Sequence, residues 1–165
     1  MYRTRSGRRS IRMSEKRPIP KDVLEALFDS ARLAPSANNL QRWNIIVVTS
    51  GKLKEELVEA SGDQKFVGEC SAYLVGVTEP GACYSTVGMT IALDHLSLRA
   101  VELGLGTCWI GDFESEKVKD LLGIPGEREV AICMTLGYPA SNPQARKRRS
   151  LSDLFHRDSW GSPLE

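Results

Sequence analysis

A chain of 165 residues, 41% apolar and 26% charged, is long enough for one real hydrophobic core and has the make-up of an ordinary globular protein. Its apolar runs, such as Ile45–Val48 and Tyr73–Val77, are far too short to span a bilayer, and no apolar stretch follows the basic start as it would in a secretory leader. The expectation is a cytoplasmic protein with no membrane partner.

The net charge of only +1 is unevenly spread: residues 1–17 carry seven Arg/Lys against Glu15, and residues 143–157 carry five against Asp153. Two basic ends therefore flank an acidic body, which favours a small, defined anion over a long polyanion. The N-terminal cluster is GRRSIR, where Arg8, Arg9 and Arg12 crowd around Ser10. After it, Val23, Leu24, Leu27, Phe28 and Ala31 recur at helical spacing over 21–34, with Pro35 as the stop. The loop APSANNLQRW follows, then a buried strand over 44–49, a helix after Gly51 and a second strand over 72–77.

Residues 85–103 predict the most apolar helix, with Met89, Ala92, Leu93, Leu96, Ala100 and Leu103 on a broad buried face. GLGTCWIG supplies a strand between glycines. A short helix over 114–122 takes Asp112 as N-cap and Gly123 as its close, and a strand runs over 129–137. Helices alternating with short apolar strands predict a layered α/β or α+β domain. The tail carries Leu154, Phe155 and Trp160, side chains for which a second subunit is a natural home.

The four cysteines, Cys70, Cys83, Cys108 and Cys133, form no CxxC pair and have no nearby histidine, so no metal site is expected. Cys70, Cys108 and Cys133 lie in or beside apolar runs and read as reduced, buried thiols. Chemistry must come from elsewhere: no GxSxG, HExxH, P-loop or paired-carboxylate motif is present, and His95 sits mid-helix as a structural histidine. Charge-assisted donors in RRSIR suit a phosphate, and RKRRSL at 146–151 offers a second cluster. Either alone reads equally as a solvated charge run or a nucleic-acid tail. Gly104 and Gly106 read as a helix C-cap and turn, or as a place where backbone approaches a flat ligand. Ser36, Asn38, Asn39 and Gln41 are amide and hydroxyl groups able to match a ring edge, on what is otherwise a surface loop. With no protein nucleophile, the hard chemistry falls to a cofactor.

Taken together and in order, RRSIR, APSANNLQRW, the apolar helix into GLGTCWIG, and KRRSL resemble the nitroreductase family of FMN-dependent oxidoreductases, in its short form. The resemblance implies an α+β fold, a three-layer α/β/α sandwich with a mixed, mainly antiparallel sheet. It implies one FMN-binding domain over 1–165, with the basic N-terminal segment and the tail completing a flavin site at a homodimer interface. Arg8, Arg9, Ser10 and Arg12 match the N-terminal motif: Arg8 and Ser10 hold the FMN phosphate, and Arg12 reaches the pyrimidine edge and tunes the flavin. Lys147 and Arg149 match the pair that completes the phosphate and ribityl site. Pro35, Ser36, Ala37 and Asn38 match the loop that contacts the flavin from the other subunit. Gly106, Thr107 and Cys108 fall where the backbone nears the isoalloxazine. The activity implied is transfer of hydride from NADH or NADPH, through the flavin, to a small electron-poor acceptor such as a nitroaromatic or quinone, with no catalytic side chain. The alternatives are a flavin- or nucleotide-binding sensor that does not turn over, and a nucleic-acid binder using both basic ends. This chain departs from the family at Gln41-Arg42-Trp43, where Gln-Pro-Trp is usual, at Thr86, where an acidic residue is common, and in lacking the longer insertions of larger members.

Overall fold

The computed structural model describes residues 2–82 and 84–164; Cys83 lies outside them. In chain order the elements are α1 (Tyr2–Gly7), α2 (Lys21–Arg32), a 3-10 turn (Ala37–Asn39), β1 (Trp43–Val48), α3 (Gly51–Ala60), α4 (Phe66–Glu69), β2 (Ala72–Thr78), α5 (Ser85–Glu102), β3 (Gly106–Ile110), α6 (Ser115–Leu122) and β4 (Glu129–Gly137). The strands form one sheet in the order β1-β2-β4-β3, and every neighbouring pair is antiparallel. Among the described residues the parallel component is a single bridge, Ser10 to Thr107.

Period-two alternation divides the apolar residues between two cores. Ala72, Leu74, Met134 and Leu136 face α2 and α5, joining Leu27, Met89, Leu93 and Leu96. Tyr73, Val75, Val77 and Cys133 face the opposite way, joining Leu57 of α3, Val67 of α4 and Val118 of α6. The sheet is thus covered on both faces, and β2 is buried along its whole length. Gly76 lets α5 lie close: a Cβ there would stand 2.8 Å from the Met89 sulfur and 3.1 Å from the Ile132 carbonyl oxygen. Cys70, Cys108 and Cys133 are free and buried, as their apolar surroundings predict.

The segments expected as helices and strands form, with small shifts at their ends. The expected N-cap Asp112 is a correction. The helix starts at Ser115 behind Glu114, which is itself still extended and has its N–H tied to the Ala60 carbonyl (2.8 Å), so the cap falls two residues later than Asp112. Gly123 does close that helix, with φ at 63°. No helix among the described residues is long and apolar enough to cross a membrane.

Candidate functional site

The N-terminal basic segment is a strap along the edge of the sheet. Beyond α1 it runs extended, with Ser10 bridging Thr107, the Ile11 N–H donating to the Thr107 carbonyl (2.9 Å), and Ser14 bridging Pro139. The Glu15 N–H then donates to the Tyr138 carbonyl (2.8 Å), and the Ala140 N–H to the Met13 carbonyl (2.9 Å). Such a strap gives up backbone freedom for few hydrogen bonds, so its side chains must add to its hold.

Its arginines divide. Arg9 turns back on the chain, its Nη1 donating to the carbonyls of Ser6 (2.7 Å) and Arg8 (2.9 Å). Arg8, Ser10 and Arg12 gather instead near Cys108 of β3: burial pushes that thiol up, while the Arg12 guanidinium, the Ser10 hydroxyl and the Arg8 guanidinium pull it back. Arg8 Nη1 is buried with no hydrogen-bond partner, and so is the Thr107 hydroxyl beside the strap. Among the described residues no carboxylate pairs with Arg8, Arg9 or Arg12. Buried donors without acceptors are costly, and a phosphate with an electron-rich ring edge fits this donor set.

Gly106 opens β3 and lies directly under the strap. A Cβ there would stand 2.9 Å from the Ile11 Cβ and closer still to its Cγ1. The close approach seen at this glycine is that of the protein's own Ile11. Gly104 supplies the turn out of α5, with φ at 76°.

The loop of Pro35, Ser36, Ala37 and Asn38 sits elsewhere, over the N-terminal end of α5. The Gln41 N–H donates to Ser36 Oγ (3.0 Å), the Asn39 N–H to the Ser36 carbonyl (2.9 Å), and Asn38, Asn39 and Gln41 all take positive φ. Asparagine tolerates that region better than most residues. Pro35, Ala37, Tyr84, Val87 and Ile91 line a cavity of about 220 Å³ beside it, and the Trp43 indole N–H is buried nearby with no partner. Arg42, the departure from Gln-Pro-Trp, pairs with Glu79 (3.8 Å), which also holds Arg128 (3.1 Å).

Lys147 and Arg149 lie on the exposed tail. Arg149 Nη2 donates to the Asp153 carbonyl (2.6 Å) within its own turn, and among the described residues no hydrogen bond or ion pair joins either residue to the strap. The structure thus brings together Arg8, Ser10, Arg12, Gly106, Thr107 and Cys108, and leaves the 35–38 loop and the tail pair apart from them. Ile11 is the residue that sequence reasoning passed over; its only signal was one β-branched apolar side chain inside a basic run.

The nitroreductase family model matches residues 6–79 and 62–138. A NADH dehydrogenase of Thermus thermophilus is 30% identical over 171 residues, spanning 81% of this chain and 83% of that one. Among solved structures, a nitroreductase family protein from Clostridium novyi aligns at TM-score 0.80 and 30% identity, covering 99% of this chain and 96% of its own. The NADPH:FMN oxidoreductase of Vibrio harveyi, solved with NAD+, aligns at TM-score 0.90 and 25% identity over 96% of this chain and 77% of its own. The layered sheet, the strap and the glycine-opened strand fall within the matched region, and this chain belongs to the nitroreductase family.

Proposed function

We propose that this chain is an FMN-dependent oxidoreductase that uses NADH or NADPH to reduce a small electron-poor acceptor, a nitroaromatic or a quinone. The observation that carries it is the carboxylate-free group of Arg8, Ser10 and Arg12, with a buried guanidinium nitrogen awaiting an acceptor, in a nitroreductase chain. The similar proteins point the same way, one being a NADH dehydrogenase and one an NADPH:FMN oxidoreductase.

Bound FMN supplies the hydride chemistry, which is why the chain needs no nucleophile of its own. Arg8 and Ser10 hold the phosphate, Lys147 and Arg149 complete its site, and Arg9 braces the strap that presents it. Arg12 faces the pyrimidine edge, where a fixed positive charge favours the reduced, more negative state. Gly106, Thr107 and Cys108 back the ring, and Pro35, Ser36, Ala37 and Asn38 approach from a second subunit. In this reading residues 1–165 act as one domain of a homodimer, the tail crossing the interface. Three buried free thiols support a reducing, cytoplasmic setting.

The test is spectroscopic. Purified protein is expected to be yellow, and anaerobic NADH or NADPH to bleach it within the time of turnover. A colourless protein that does not take up FMN ends the proposal, and a yellow one that neither nucleotide bleaches ends the catalytic half of it.

A further inference from the structure

We propose that Ile11 is the positioning residue of the anion-binding strap, seated in the notch that Gly106 leaves in β3. This rests on the reading of Arg8 and Ser10 as the FMN phosphate site.

Three guanidiniums in five residues repel one another, and among the described residues no carboxylate relieves them. Ion pairing therefore does not hold the strap in place. Between Arg8 and Arg12 the only buried residue is Ile11, at 6% exposure. Its side chain fills the space where a Gly106 Cβ would stand, with the Pro139 ring 3.3 Å from that same point. Gly106 does not have a positive φ, so what glycine provides here is room rather than an unusual dihedral.

Side chains alternate along an extended chain. A seated Ile11, on the side of Arg9, turns Arg8, Ser10 and Arg12 together to the opposite side. Arg9, Ile11, Gly104, Gly106 and Pro139 also border a cavity of about 220 Å³. That slack matters: with Ile11 trimmed, the strap has somewhere to slide, and its donors lose their aim while the sheet stays whole.

The experiment compares FMN with riboflavin on the full-length protein stripped of flavin, because the ratio of the two affinities isolates the phosphate contact. Ile11→Ala is expected to weaken FMN at least tenfold and riboflavin less than threefold, and Ile11→Val to recover most of the loss. Gly106→Ala, which pushes on the same side chain, is expected to give the Ile11→Ala pattern, and the double variant to be no worse than either single one. If Ile11→Ala fails to fold, Ile11→Val carries the same test as a two- to threefold loss confined to FMN. An unchanged ratio, or equal weakening of both ligands as general destabilisation would give, overturns the assignment. Arg8→Gln is measured alongside: if it leaves the ratio unchanged, the phosphate reading fails, whatever Ile11 does.

Discussion

The Arg42 guanidinium stands 3.8 Å from the Glu79 carboxylate, drawing the start of β1 toward the chain just beyond β2. The preceding residue, Gln41, has φ at 49°, and its N–H is held by Ser36 Oγ. A proline at 42, the usual family residue, would push residue 41 toward extended backbone and break that turn. Arg42→Pro is therefore expected to cost about 1–3 kcal/mol, whereas Arg42→Ala costs less than about 1 kcal/mol because the ion pair is half exposed. Urea midpoints separate the two, and a proline variant as stable as the alanine one would sink this account of the loop.

Arg12 gives a prediction in volts. A charge-assisted hydrogen bond made only in the reduced state is worth about 1.5–3 kcal/mol, which for a two-electron couple is about 30–65 mV. Arg12→Leu is expected to lower the flavin midpoint potential by that amount while FMN affinity changes less than in Arg8→Gln. An unaltered midpoint removes Arg12 from the ring edge.

The buried thiols set a limit at high pH. Burial pushes Cys70 up from 9.0 to about 11, despite the Lys54 ammonium, and Cys133 up to about 12. Between pH 9 and those values the unfolded chain releases protons that the native one keeps, so stability falls as pH rises; below pH 9 neither thiol contributes. The slope approaches roughly 1.4 kcal/mol per pH unit per thiol. Unfolding free energy measured in urea is expected to fall by about 1–3 kcal/mol from pH 9 to 10.5. Cys133→Ala is expected to remove about half of that slope, and an equally steep limb in the variant would contradict it.

Trp160 is 92% exposed in the single chain, with Leu151 and Phe155 of the same tail also open. A tail this apolar is suited to a subunit interface, where tryptophan is often a dominant contact. In the homodimer proposed above, Trp160→Ala is expected to raise the dissociation constant roughly ten- to thirtyfold, about 1.4–2 kcal/mol. Sedimentation equilibrium reads this directly; an unchanged constant would take Trp160 out of the interface.

Much of the fold was legible because its periods are strong. The apolar stripe of α5 and the runs of β1, β2 and β4 announce themselves in sequence. The short α1 and α4 did not, since a basic run and a polar stretch carry no period to detect. Asp112 looked like a cap only because the tie between Glu114 and Ala60 brings together residues far apart in the chain. At the site, RRSIR was legible as charge, yet the parting of Arg9 from Arg8 and Arg12 was not. That parting depends on the strap being extended, and the bridge to Thr107 that makes it so exists only once β3 is in place.

The strand order has a consequence for how the chain is made. β2 and β4 share the long central ladder, but α5, β3 and α6 lie between them in sequence. A growing polypeptide can form the antiparallel β1-β2 pair first, once α3 and α4 between them have emerged, while the far side of β2 has no partner until almost the whole domain has followed. Closure of such a distant pairing is slow, and meanwhile an apolar strand edge stands open to other chains. Synthesis that pauses before β4 would thus expose the molecule to aggregation at its most buried strand.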